Sequence, residues 1–211
     1  MFTNIRKYPA VVVTSGAVLA LLTACGGTDS GSMGGHGMSA ASSSAPAATS
    51  ASAQPSATFN DADVMFAQMM IPHHQQAVEM AELADTRAAD KEIKDLAAKI
   101  KAAQDPEIQT MRGWLTAWGK PMPSSGMDHG MGHDMPGMMS EEDMKKLEDA
   151  KGGAFDKQFA QLMIAHHNGA IEMARTEQSQ GADPAAKELA KAIEAAQQAE
   201  VEQMKKILER L

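Results

Sequence analysis

The sequence predicts an all-α protein, a four-helix bundle assembled from two duplicated helical hairpins and preceded by a disordered N-terminal tether. Three observations predict it. Asp63–Leu115 aligns with Asp156–Leu208 at a constant offset of 93 residues, without a gap, and 24 of the 53 aligned positions are identical. Within each copy the apolar residues recur at helical spacing, and no segment shows the alternation of a strand. Residues 26–58 are Gly, Ser, Ala, Thr and Pro with almost no large apolar side chains, so they cannot build a core.

Each copy opens with an amphipathic helix. In the first, Phe66, Met70, His73, Ala77, Met80 and Ala84 step by 4, 3, 4, 3, 4, the spacing of a packed helical seam. The second copy repeats it with Phe159, Met163, His166, Ala170 and Met173. The second helices carry Ile93, Leu96, Ile100, Met111, Leu115 and Leu189, Ile193, Met204, Leu208. Asp90 is placed as the N-cap of helix two, Ser140 with Asp143 as a capping box for helix three, and Asp183-Pro184 as the start of helix four. Pro72 and Pro106 are expected to kink their helices. Trp114 and Trp118 are expected to close one end of the bundle. The linker Gly119–Met139 has 21 residues and could span roughly 70 Å against about 40 Å for a 27-residue helix, so length leaves both a crossover and a loop-back open.

The expected domains are a signal peptide over 1–24, a tether over 25–58 and the duplicated bundle over 59–211. Arg6 and Lys7 precede the apolar run Ala10–Leu22, which is too short for a bilayer-spanning helix and suits a leader. Leu22-Thr23-Ala24-Cys25-Gly26 resembles the bacterial lipobox, which implies cleavage before Cys25 and a lipid on that cysteine. Loss of the leader leaves 17 basic against 27 acidic residues, a balance that argues against a nucleic-acid partner. One Cys excludes an internal disulfide framework and a Cys-rich zinc module. The expected setting is the outer face of a membrane, with the metal ion and the lipid surface as partners.

With eight aromatics and 18 methionines, the sequence poses the question of what the methionines do. Met is a soft gap-filler in cores and also a soft metal ligand. The first helices carry His73-His74 and His166-His167, each pair with a Met three residues before it (Met70, Met163) and one seven after its first His (Met80, Met173). Residues three or four apart share a helix face, so Met70 lies beside its His pair and Met163 beside the other. Met80 and Met173 rise about 10.5 Å beyond the first His and form an outer layer. The competing reading makes the histidines hydrogen-bonded core residues. Thioether with imidazole favours copper, Cu(I) above all, with Cu(II) or Ag(I) as further ions. A di-iron centre needs Glu-x-x-His on two helices, and the chain has none, although Glu79, Glu172, Asp63 and Asp156 recur between the copies.

The linker adds a second candidate set: Met127, His129, Met131, His133, Met135, Met138 and Met139, with Met122 before them, separated by Gly, Pro, Ser and Asp. It has no helical or strand period, and short His-rich tracts are metal-binding compositions. Met33 and Met38 flank His36 in the tether with the same composition. Such a segment suits capture and handover, since it offers no preorganised geometry.

The duplicated D-x-x-F-x-x-x-M-I-x-H-H-x-x-A-x-x-M-A pattern resembles the bacterial family known as domain of unknown function 305, over roughly residues 60–211. The resemblance implies a ferritin-like helical bundle and, from some members, an extracytoplasmic copper-binding protein. The expected function is therefore lipid-anchored copper sequestration or transfer, with extracytoplasmic copper-handling proteins as partners and no catalytic residues. A non-metal interaction module and a ferritin-like redox enzyme are the alternatives. Imidazole-dependent affinity is expected to weaken below about pH 6, while thioether-dependent Cu(I) binding should persist.

Overall fold

The computed structural model describes residues 58–123 and 135–211, all within one compact unit, and every regular element among them is helical. These are α1 (Asp61–Arg87), α2 (Lys91–Ala117), α3 (Glu141–Asp149), α4 (Gly153–Gln180) and α5 (Pro184–Arg210). The bounds of α2 and α5 differ by 93 residues at both ends, the offset read from the sequence. The leader, Cys25 and the tether lie outside the described residues.

Four long helices form the bundle, and α3 is an addition to it. Ser140 caps α3, its side chain accepting from the Asp143 amide. The sequence assigns that cap to the first helix of the second copy, which is a correction: the chain breaks at Ala150–Gly152, where Gly152 takes φ 62°, and α4 starts afresh. Asp90 and Asp183 do cap α2 and α5, and Pro184 starts α5. Both α1 and α2 continue through Pro72 and Pro106.

Apolar burial falls into two clusters. One joins Val64–Ile71 of α1, Ile108–Leu115 of α2, Ala170–Ala174 of α4 and Ala190–Ile193 of α5. The other joins Ala77–Ala84, Ile93–Ile100, Phe155–Met163 and Val201–Ile207. The first half of α1 thus meets the second half of α2 and α4, so both run antiparallel to it, as α5 does to α4. The end of α2 lies at one end of the bundle, whereas Leu147 of α3 is fully buried in the cluster at the other. The linker is therefore a crossover.

Hydrogen bonds trace that crossover along α1. Gln68 donates to the Pro121 carbonyl at 2.9 Å, and His73 meets the Pro136 carbonyl at 3.2 Å. Gln76 exchanges two bonds with the Met139 backbone, at 3.0 and 2.7 Å. Arg87 donates to the Glu148 carbonyl at 2.6 Å, and its own carbonyl accepts from Gly152 at 2.8 Å. Trp118, stacked on Phe59 and Trp114, packs against the cluster at the α2 end, where the sequence places it.

Two buried aspartates tie the hairpins together. Asp63 on α1 accepts from the amides of Ala182 and Asp183, between α4 and α5, at 2.9–3.1 Å. Asp156 on α4 accepts from Ala89 and Asp90, between α1 and α2, at 3.0–3.3 Å. Each carboxylate satisfies amides of the turn that leads into the other hairpin's second helix, where negative charge is favoured. These recurring residues are fold clamps, and Glu79 and Glu172 are exposed. Asp63 is held below its usual range: burial pushes it up, but the amides of Asn60, Asp183 and Ala182 and the neighbouring Glu177 outweigh that. Glu177, 1% exposed and with neither oxygen in a well-formed hydrogen bond, is pushed up to about 8 by burial first and then by Asp63.

Replacing Asp63 or Asp156 by Ala should lower unfolding free energy by about 1–2 kcal/mol each, measured by urea titration. Because the folded pKa of Glu177 lies above its unfolded value, its stabilising contribution is complete below about pH 4.5 and drains away as pH rises to about 8. Glu177→Gln should therefore raise the melting temperature at pH 8 more than at pH 4.5. An equal shift at both would mean that the group titrates normally.

Candidate metal centre

Between the two apolar clusters lies a polar layer. His73 and His74 come from α1, His166 and His167 from α4, Gln104 from α2 and Gln197 from α5, and none exceeds 3% exposure. The His73 and His166 rings approach to 3.7 Å between centroids, tilted by 41°, and His166 lies 6.5 Å from His167. The two seam histidines predicted from separate copies thus meet at the bundle axis. This follows from antiparallel packing of α1 on α4, which superposes the midpoints of the two helices.

The outer nitrogens of the layer are fixed. His74 Nε2 meets the Glu107 carboxylate at 2.7 Å, and His167 Nε2 meets Glu200 at 2.6 Å. A carboxylate or carbonyl oxygen can only accept, so Nε2 carries the proton in His74 and His167, and also in His73, whose partner is the Pro136 carbonyl. In a neutral ring so arranged the Nδ1 atom holds the lone pair. All three Nδ1 atoms, and both ring nitrogens of His166, are buried without a protein partner. Leaving a buried polar atom unpaired costs about 1–3 kcal/mol. Five such atoms approach the whole stability of a domain, roughly 5–15 kcal/mol. A carboxylate behind an imidazole is also the arrangement that orients histidines toward a metal.

The thioethers flank this layer on both sides. Met70 and Met173 belong to the cluster below it, and Met80 and Met163 to the cluster above, all at most 8% exposed. The spacing places Met80 and Met173 as an outer layer on their own helices. Antiparallel packing adds that each lies in the cluster holding the other helix's inner Met. Among the described residues no three His, Cys, Asp or Glu side chains form a ready-made metal cage, so a soft ion here would draw on sulfur as well as imidazole.

The end of the linker closes the layer. Pro136-Gly137 lies directly on α4: a Cβ at Gly169 would stand 1.9 Å from the Pro136 carbonyl oxygen, and one at Gly137 2.8 Å from the His166 carbonyl oxygen. Gly137 also takes φ 78°. In the first copy the position of Gly169 is Gln76, which grips Met139 instead. Met135, Met138 and Met139 are half-buried beside this contact. Met127, His129, Met131 and His133 lie outside the described residues.

Burial changes the acid–base expectation. His73 is lowered to about 3, first by desolvation and then by the charge of His74, against which the Pro136 carbonyl pulls weakly upward. His166 is lowered well below its ordinary value by burial and by the other three histidines. Burial thus moves His73 and His166 away from the ordinary imidazole value on which the expectation of weaker affinity below about pH 6 rests. Sequence reasoning also missed Gln104, Gln197, Glu107 and Glu200. The signal was present, since both pairs are identical between the copies at the same offset, three residues apart on one helix face.

A four-helix bundle with a histidine layer at its midpoint defines a protein class in which facing helices build a buried ligand site. The chain belongs to the family described as domain of unknown function (DUF305), which it matches over residues 63–208. It is similar to a DUF305 protein from Streptomyces coelicolor designated as secreted, at 36% identity over 71% of this chain and 93% of that one, with a TM-score of 0.65. A DUF305 fragment from Deinococcus radiodurans gives 30% identity over 73% and 99%, with a TM-score of 0.66. CopM in its Cu(II)-bound form gives 34% identity over 70% and 96%, with a TM-score of 0.61, and CopM structures in Cu(I)- and Ag-bound forms match as well. No curated protein matches the chain.

Because His73 must take up a proton on unfolding, the metal-free protein should lose stability as pH falls from about 6.5 toward 3, by up to about 1.4 kcal/mol per pH unit. Melting temperature followed against pH should show this fall. His73→Gln should flatten it, and an unchanged slope in that variant would contradict a buried neutral imidazole.

Proposed function

We propose that this chain is an extracytoplasmic protein, lipid-anchored through Cys25, that binds copper as cargo for sequestration or transfer, with Cu(I) preferred and Cu(II) and Ag(I) also accepted. The observation that carries the reading is the set of five buried ring nitrogens without protein partners, three of them on rings held by two carboxylates and a carbonyl. A soft ion bound there would satisfy lone pairs that the fold leaves open. His73 and His166 are the central donors, with His74 and His167 beside them. Met70, Met163, Met80 and Met173 supply sulfur from the two flanking clusters. The similarity to CopM in three metal-bound forms supports copper as the ion, and the secreted relative supports the compartment.

The linker set from Met127 to Met139 would capture the ion at the surface and deliver it beneath Pro136. The protein acts as a carrier rather than a catalyst. The carboxylates nearest the layer, Glu107 and Glu200, are engaged with Nε2 atoms, an orienting role rather than that of a bridging ligand.

The test is Cu(I) titration of the full chain against a competing chelator. His73→Gln/His166→Gln should weaken the tightest class of sites by more than about tenfold, and Glu107→Gln/Glu200→Gln by about 10–100-fold through loss of orientation. Unchanged affinity in both would leave the histidines as core residues of an interaction module. Linker donors are best replaced singly by Ser, because the crossover must span the bundle and a deletion of 121–139 would break it. Ser at Met127, His129, Met131 and His133 should remove weaker Cu(I) equivalents and leave the tightest class intact.

A further inference from the structure

A groove of about 410 Å³ opens between the first half of α1 and the second half of α4, beside the histidine layer. Its lining includes Met65, Met69, Met173, Glu172, Glu177 and Pro136. The three methionines form a gradient of exposure: Met65 is 59% exposed, Met69 is half-buried and Met173 is 8% exposed. Met65 and Met69 stand four residues apart, on one face of α1. Met173 faces them from α4. A methionine as open to water as Met65 contributes little packing, and it is the most exposed of the three exposed large apolar residues among the described residues.

The groove is not a by-product of the duplication. The positions equivalent to Met65 and Met69 in the second copy are Gln158 and Leu162. At the other end of the bundle the corresponding surface is occupied by Met139, Met144 and Leu147, packed on the upper cluster. Glu177 is buried in the groove wall, where burial and the neighbouring Asp63 carboxylate favour its neutral form, so the carboxylate charge of the lining lies at Glu172 on the rim. Pro136 supplies the route inward, because it lines the groove while its carbonyl touches His73.

We propose that this groove is a second soft-cation site, an entry station where Met65, Met69 and Met173 take up a monovalent ion such as Cu(I) or Ag(I) before it passes Pro136 to the histidine layer. Three thioethers suit a soft monovalent ion, and they do not titrate. The exposed Glu172 supplies charge at the mouth. The entry role rests on the reading of the histidine layer as a copper site; the groove as a site in itself does not.

The experiment is nuclear magnetic resonance of the full chain carrying labelled methionine methyls and labelled histidine rings, titrated with Ag(I). The methyl signals of Met65, Met69 and Met173 should shift within the first equivalents, ahead of the His73 and His166 ring signals. Met65→Gln/Met69→Leu copies the side chains of the second half, so the fold should tolerate it. In that variant ring loading should slow by about tenfold, the scale on which single supporting groups alter metal binding. Groove methyls that stay still while the ring signals move, or an unchanged loading rate in the variant, would overturn the proposal alone. Shifting methyls with silent rings would refute the histidine centre, and with it the entry role.

Discussion

The structure depends on one constraint: four histidines occupy the buried middle of the bundle with more ring nitrogens than the protein provides partners for. Imidazole is bulky enough to pack on the seam, yet each ring carries two nitrogens that water would ordinarily partner. Glu107, Glu200 and Pro136 satisfy the outward nitrogens. The remaining ring nitrogens have no protein partner. Apolar clusters above and below exclude water, which both depresses the His73 and His166 pKa values and strengthens any ligand bond formed there. Burial therefore leaves ring nitrogens without protein partners at the centre of the bundle, the feature on which the copper proposal rests.

The remaining architecture holds that layer in register. Asp63 and Asp156 each fasten one hairpin's first helix to the turn of the other hairpin, so α1 and α4 cannot slide without losing buried carboxylate bonds. A one-turn slip would separate His73 from His166 by about 5.4 Å. The crossover is pinned to α1 at Gln68, His73, Gln76 and Arg87, which fixes Pro136 above the rings. Gly169 completes the fit, because any side chain there would displace the Pro136 carbonyl.

Much of this was legible in the sequence. The 93-residue offset gave the helix pairs, the 4-3-4-3 seam placed His73 and His166 on the buried face, and Asp90 and Asp183 marked two helix starts. Other features were hidden for physical reasons. Whether the linker crosses or returns depends on where its contacts fall, and 21 residues reach either way. The Ser140 cap is locally genuine, but its helix ends after nine residues at the extended Ala150, and α4 starts afresh from Gly152 at positive φ. The carboxylates behind the histidines come from α2 and α5, so their role exists only after four helices pack. Gly169 looks like a mid-helix weakness until the chain that lies on it is seen.

The most direct measurement is X-ray absorption at the copper edge on the full chain loaded with one equivalent of Cu(I). The account predicts mixed coordination, with imidazole nitrogen and thioether sulfur in the same shell, and loss of the nitrogen contribution in His73→Gln/His166→Gln. A shell of sulfur alone, unchanged in that variant, would contradict it. The histidine layer would then be a structural feature, and any copper would be held by methionines elsewhere.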